Sequence, residues 1–296
     1  MSHRAAPAAA PRVIAEVGCN HGGDLARARK MIAVAAQFCE ADAVKFQKRD
    51  PRALLSPEQY DAPHPNPMHA FGDTYGAHRE FLELDVEAHR ALQQACQDAG
   101  TEYSTSVWDV GSARSIVELD PAFLKVPSAS NTNEGLLEVL CLDYGGGVHV
   151  SLGMPTRDEE ERIVETVVRC GAAERLVLYA CTSAYPVPFE DIALREIERL
   201  VDTYGTTVAA IGFSGHHLGI AADVAALALG ASWFERHYTL DRTSKGTDHA
   251  ASLEPDGMRR LVRDVRNVSR ALTPKASEIL AIEEGQRAKL KWLGAA

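Results

Sequence analysis

The segment VIAEVGCNHGGDLARARK, residues 13–30, sets the architecture. Val13–Gly18 is a short, apolar, β-rich run. Asp24 stands where a helix N-cap belongs, and from Leu25 to Phe38 apolar residues return at three- and four-residue spacing. The same strand-then-helix unit recurs along the chain. Further strands are expected at Ala43–Gln47, Glu102–Ser106, Phe123–Pro127, Val148–Gly153, Arg175–Cys181, Val208–Ser214 and Trp233–Leu240. Clear helical stretches are Glu159–Val168, with Thr156 and Asp158 as N-cap candidates, and Ala222–Leu229, which reads as apolar all round. Eight units between residues 13 and 272 average roughly 30 residues, the repeat of a (β/α)8 TIM barrel. An open doubly wound sheet shares that alternation, but no GxGxxG follows the first strand, which favours the barrel. No linker or composition shift divides the chain. One domain over 13–296 is therefore expected, after a loose Ala/Pro-rich tail at 1–12.

Composition narrows the class. Of 296 residues, 31 are Lys or Arg against 41 Asp or Glu, a net charge of −10 that disfavours a nucleic-acid wrapper. No apolar run reaches the ~18 residues of a membrane span. The start has no continuous apolar stretch of the signal-peptide kind. Six scattered cysteines with no CxxC pair fit reduced thiols in a cytoplasm.

One connection stands out. Residues 48–80, after the second strand, contain Pro51, Pro57, Pro63, Pro65 and Pro67 and several histidines, and a loop this long inside a compact domain points to a functional lid. Ser277–Leu290 reads as a last helix that closes the barrel bottom or packs on a partner.

In a barrel the chemistry sits at the C-terminal ends of the strands. Here every such end is polar: Glu16 to His21, Lys45 to Gln47, Ser104 to Ser106, Lys125 to Ser128, Ser151, Thr182 with Ser183, Ser214 to His217, and Glu235 to His237. Only eight of the 31 basic residues are lysines, yet two of them, Lys45 and Lys125, fall on strands two and four. A lysine aimed into a barrel must be desolvated and so needs an anion, and its compact ammonium suits phosphate or carboxylate. The competing reading is a pair of lysines snorkelling on the outer face. The neighbouring serines and threonines read either as helix caps or, with the lysines, as a phosphate cradle. His216 and His237 end adjacent strands and could converge on one divalent metal with a coordination position open, or simply form a hydrogen-bonded pair.

These residues resemble the sialic acid synthase family, the phosphoenolpyruvate-dependent barrels that make N-acetylneuraminate and related nonulosonates. The resemblance runs from about residue 13 to 270. It rests on IAEVGCNHGGDLARA (14–28), ADAVKFQ (41–47), TYGAHREFLEL (74–84), LKVPSASNTN (124–133), SLGMPT (151–156), YACTSAYPVPFEDIAL (179–194), IGFSGHHLGI (211–220), ERHYTLDR from 235 and KGTDHAASLEPD to 256. It implies a TIM barrel, a manganese or magnesium ion, and a reaction in which C3 of phosphoenolpyruvate attacks a sugar aldehyde. Water then adds at C2 and phosphate leaves with C–O cleavage. By this resemblance Lys45, Thr105, Lys125, Ser128, Ser151, Ser183 and Ser214 bind phosphoenolpyruvate. His216 and His237 hold the metal, which polarises the aldehyde oxygen. Glu16, Gln47 and Asp248 touch the sugar or the reacting centre. A homodimer is compatible with the resemblance.

The departures lie on the acceptor side. The family's SGE after strand four is Ser128-Ala129-Ser130, and its SDHT is Ser214-Gly215-His216-His217. The family's C-terminal antifreeze-like domain has no counterpart before Ala296. Ser130 and His217 are thus expected to meet an acceptor other than N-acetylmannosamine, because a site built for one polar group discriminates sharply against its absence. Cys19, at the end of strand one, is either a metal ligand, as in related heptulosonate synthases, or a small apolar filler. Two other functions fit the same residues: a Schiff-base aldolase using Lys125 or Lys45, and a barrel that binds a phospho-ligand without turnover.

Overall fold

The computed structural model describes residues 10–292. Eight parallel strands close in chain order: β1 (Arg12–Glu16), β2 (Ala43–Lys48), β3 (Glu102–Val107), β4 (Phe123–Val126), β5 (Gly147–Ser151), β6 (Leu176–Cys181), β7 (Ala210–Gly215) and β8 (Trp233–His237). β1 seals the barrel against β8, with Ile14 beside Glu235 and Glu16 beside His237. That closure rules out the open sheet. Arg12, expected in the tail, already pairs with Trp233 in β1. The rest of the expected tail, residues 1–9, lies outside the described residues. β8 ends three residues early because Tyr238 leaves the barrel to bridge Leu253.

Strand side chains alternate between the two faces. Outward residues such as Val13, Val44, Phe46, Val126 and Phe234 join the helices in one large core. Inward residues stack in layers. The floor is Ile14, Ala43, Phe123, Val177 and Tyr179. His149 stacks on Phe123 at 4.2 Å, and its Nδ1 lies 2.8 Å from Tyr179 Oη. Burial pushes this imidazole well below its usual range, so it stays neutral. The next layer up is ionic and carries the site.

Helix starts follow capping chemistry. The Asp24 side chain accepts from Ala26 and Arg27 N–H and starts Leu25–Gln37. Thr156 starts Arg157–Arg169 in a capping box with Glu159. Asp158 is not a cap: it lies in the first turn, where its charge faces the positive end of the helix dipole. The prolines of residues 48–80 also act as helix starters. Pro51, Pro57 and Pro67 each follow a capping residue, Asp50, Ser56 and Asn66. The excursion is therefore not a plain loop. It folds as helices Pro51–Leu54 and Pro57–Asp61, a 3-10 turn Pro67–His69 and helix Tyr75–Leu82. At the C-terminus, helix Ala281–Leu290 is shorter than expected and buries no side chain, so it does not close the barrel bottom. No helix among the described residues is long and apolar enough to cross a membrane.

Helix Ala221–Ala228 is not apolar all round. Asp223 is fully buried and receives Arg236 Nη1 at 2.5 Å, with His217 Nε2 3.2 Å away. Arg236 Nη2 also donates to His217 O at 2.5 Å. This ion pair lies on the helix side of β8, and breaking one partner of such a pair leaves an uncompensated buried charge. Asp223→Ala should cost about 3–5 kcal/mol, read as a shift in the urea midpoint. A shift below ~1 kcal/mol would show that Arg236 finds water or another acceptor.

Candidate active site

Four buried charges alternate in sign through the barrel interior. Lys45 Nζ lies 2.6 Å from Glu16 and 3.7 Å from Glu235, and Lys125 Nζ lies 2.6 Å from Glu235. All four side chains are nearly inaccessible. The two lysines therefore point inward, and the snorkelling alternative is excluded. Hydroxyl and amide groups complete the layer. Lys45 donates to Ser106 Oγ at 2.6 Å, Gln47 Nε2 donates to Glu16 Oε1 at 3.0 Å, and Ser214 Oγ lies 3.3 Å from Glu235. Lys125 also sits over the Tyr179 ring at 4.5 Å, which ties the ionic layer to the floor.

The carboxyls of Glu16 and Glu235 differ. Burial raises Glu16, to about 7, more than Lys45 lowers it. Burial opposes the charge on Glu235 as well, but Lys125 and Lys45 together hold it down at about 2.

A hydroxyl cluster lies beside Lys125. Gly153 N–H donates to Ser128 Oγ at 3.1 Å, and a Cβ at Gly153 would stand 2.3 Å from Ser183 Oγ and 2.5 Å from Ser128 Oγ. Only glycine leaves both hydroxyls in place. Asn131 Nδ2 binds the carbonyls of Ser151 and Gly153, which locks the ends of β4 and β5 together. Ser130 is buried within the turn between them.

The paired histidines sit above. Their ring centres are 5.4 Å apart, and Tyr185 packs on His216 at 4.2 Å. His216 Nδ1 lies 3.0 Å from Thr182 O, so it carries the proton and a metal would meet Nε2. Burial holds His237 neutral, with its ionisation down at about 4, which is the ligand form. His237 Nδ1 is buried without a hydrogen-bond partner, and Asp248 Oδ2 lies 3.8 Å from it. Among the described residues no group of three or more His, Cys, Asp or Glu is assembled for a metal. Two imidazoles, one with an orphaned nitrogen, and a nearby carboxylate nevertheless fit a divalent ion with open positions. The Cys181 thiol bonds His216: despite burial, that contact lowers Cys181 to about 7, and it raises His216 against its own burial. Cys19 Sγ instead receives Arg49 Nη2 at 2.8 Å, and a guanidinium there opposes a cation.

Two expected substrate contacts are not brought to this site. Thr105 lies on the opposite face of β3 from Ser106, with its neighbour Tyr103 turned outward to His89. His217 is spent in the Arg236–Asp223 pair on the helix side. Conversely, Ser106, Glu235, Cys181 and Tyr185 belong to the site and were not picked out from the sequence. Strand alternation was the available signal for two of them: Ser106 shares a face with Ser104, and Glu235 shares one with His237.

Gly18, with φ of +55°, turns the chain away from β1 so that Gln47 and His237 can approach it. Over these strand ends the excursion and residues 242–250 enclose a cavity of about 660 Å³. Gln47, Tyr185, His237 and Asp248 line its inner side.

Comparison with known proteins agrees with this geometry. The NeuB family model matches residues 31–277. N-acetylneuraminate-9-phosphate synthase of Homo sapiens is 38% identical over 278 residues, covering 94% of this chain and 76% of that protein. N,N'-diacetyllegionaminic acid synthase of Campylobacter jejuni is 33% identical over 261 residues, 88% of this chain and 77% of that one. The crystal structure of an N-acetylneuraminic acid (sialic acid) synthetase from Leptospira borgpetersenii, in complex with citrate, superposes with a TM-score of 0.80 at 29% identity. It covers 95% of this chain and 93% of that one.

The Glu16 proton has a thermodynamic signature. The folded chain keeps it up to about pH 7, whereas an ordinary glutamate releases it near 4.5. Between those values the native state binds more protons than the unfolded one, so this group makes stability fall as pH rises. Glu16→Gln should remove that slope, seen as urea midpoints of mutant and wild type diverging in the mutant's favour from pH 4.5 to 7. Parallel pH profiles would place the proton elsewhere.

Proposed function

Because the chain belongs to the NeuB family, we propose that it condenses phosphoenolpyruvate with a sugar-type aldehyde to give a 2-keto-3-deoxy acid and phosphate. It is a carbon–carbon bond-forming synthase: its named relatives are synthases of sialic and legionaminic acids. The observation that carries the donor assignment is the pair of inward lysines, each held by a buried carboxylate. A trianionic donor needs cations in a dry site, and ammoniums fixed on two strands supply them without reorganisation.

In this reading C3 of the donor attacks the aldehyde carbon, the aldehyde oxygen takes a proton, water adds at C2, and the C2–O bond breaks to release phosphate. Lys45 and Lys125 hold the carboxylate and phosphate of the donor. The hydroxyls of Ser128, Ser151, Ser183 and Ser214 accept its register, with the Gly153 N–H beside them. Glu16 keeps a proton near neutral pH and is the group placed to deliver it to the aldehyde oxygen. Gln47 orients Glu16 through its Nε2. His216 and His237, with Asp248 close by, would hold manganese or magnesium. When bound, that ion supplies Lewis-acid polarisation of the aldehyde. The Schiff-base reading has less support, because an ion-paired ammonium has no lone pair with which to attack a carbonyl. The acceptor is proposed to differ from N-acetylmannosamine, since Ser130 stands where the family carries a glutamate.

Phosphate release from phosphoenolpyruvate should be measured across aldoses, N-acylated aminosugars and their phosphates, with manganese or magnesium. Release should require an acceptor, stop with chelator and return with either ion. Lys125→Ala should weaken donor binding or turnover by about 2–5 kcal/mol, with calorimetric titration as the check. Full activity in metal-stripped protein, or borohydride trapping of a pyruvyl adduct, would sink the reading.

A further inference from the structure

Resting on that reading, we propose that the acceptor carries an anionic group at the end remote from its aldehyde, and that Arg79 together with the Trp108 indole N–H binds it. The cavity over the strand ends has two sides. The inner side holds the reacting residues. The outer side is formed by the 48–80 excursion and by the segment after β3, and it presents Arg49, Arg79, Trp108 and Arg242.

Charge is unbalanced there. Three arginines line the cavity, against one carboxylate, Asp248. Arg49 is neutralised by Glu83 at 2.5 Å. Arg242 lies on the exposed rim and donates to Ala250 O. Arg79 has no carboxylate within ion-pair distance among the described residues. Its Nε and Nη2 reach only Tyr75 Oη, at 3.0 and 2.6 Å, and its guanidinium lies over the rings of Tyr75 at 5.1 Å and Trp108 at 5.7 Å. Part of its donor fork is left unspent.

Trp108 supplies an independent observation. Its Nε1 is buried and has no hydrogen-bond partner, although an indole N–H can only donate. A buried donor without an acceptor is destabilising, and such groups mark places where a ligand completes the structure. The two residues thus offer donors and positive charge with no acceptor of their own, beside one cavity. A phosphate or carboxylate provides the missing oxygens, and a guanidinium matches either one through its planar fork.

The placement is rigid and separate from the donor's cations. Arg79 belongs to helix Tyr75–Leu82, which Thr74 caps, and a Cβ at Gly76 would lie 2.3 Å from the Tyr60 ring, so that helix sits tight against Pro57–Asp61. Lys45 and Lys125 stand inside the barrel on β2 and β4. One anion is met on the barrel wall and the other on the rim.

The test compares N-acetylmannosamine, N-acetylmannosamine 6-phosphate and mannuronate as acceptors in wild type, Arg79→Gln, Arg79→Lys and Trp108→Phe. The readout is the ratio of kcat/KM for an anionic acceptor over the neutral sugar, not the absolute rate. Wild type should favour an anionic acceptor by at least about tenfold, and whether the phosphate or the carboxylate wins identifies the group. Arg79→Gln should bring the ratio close to one. Arg79→Lys, a point charge without the fork, should keep part of it, and Trp108→Phe, which retains the ring but loses the N–H, should lower it severalfold. Preference for the neutral sugar in wild type, or an unchanged ratio in Arg79→Gln, overturns the proposal, as does a loss expressed only in the KM for phosphoenolpyruvate. Calorimetric titration with the same three compounds decides the matter without turnover. If none of them is turned over, the condensation reading fails. Tighter binding of an anionic compound that Arg79→Gln abolishes would then still uphold the anion site, and equal binding of all three would overturn it.

Discussion

The alternating chain Glu16–Lys45–Glu235–Lys125 is the interaction on which the rest of the molecule depends. Ions of this kind are costly in a barrel interior unless each meets an opposite charge and its remaining donors find acceptors. Here two carboxylates neutralise two ammoniums, while Ser106, Gln47, Ser214 and the Tyr179 ring take up what is left. The arrangement lets the barrel carry two lysines in a dry place before any anion arrives. It also sets the terms on which an anionic donor enters in the proposed reaction: it must compete with the chain's own carboxylates. The two are not equal competitors. Glu16 accepts a proton near neutrality and can release its lysine at small cost, whereas Glu235 stays charged and keeps the other end fixed.

A similar asymmetry separates the two histidines. His237 is kept neutral by burial, while His216 is drawn toward the protonated form by the Cys181 sulfur. The pair looks symmetric as a sequence pattern of adjacent strand ends. Its chemistry is set by neighbours from β6 and the following turn, which no local pattern discloses.

Much of the fold was legible because strand and helix periods are local. The alternation of short apolar runs with amphipathic helices gave the barrel, and polar strand ends pointed to the correct face. Lys45 and Lys125 could be read as inward because a scarce residue type fell twice on strands. The failures also have physical reasons. Thr105 and Ser106 differ by one position, and in a strand one position exchanges the inner face for the outer. Glu235 was visible at the end of β8 but was passed over for His237, though the same alternation puts both inside. His217 sits past the end of β7, where alternation no longer applies and the buried Asp223–Arg236 pair decides its place. The prolines after β2 were read as marks of a loop, although proline behind a capping residue begins a helix as readily as it ends one. Arg79 and Trp108 lie in different segments, and only the tertiary fold puts them on one cavity.

Closure of β1 against β8 has a consequence in time. The ionic layer takes Glu16 from the first strand and Glu235 from the last, and the register that seals the barrel sets Glu16 beside His237. A chain emerging from the ribosome that has completed only β1 to β7 holds Lys45 and Lys125 with one of their two carboxylate partners missing. Its wall is open and its interior charges are unbalanced. Such an intermediate cannot settle, and it carries no competent site. Barrel, charge balance and active centre are therefore completed by the same late event, so that a partly made molecule has neither stability of its own nor chemistry to misdirect.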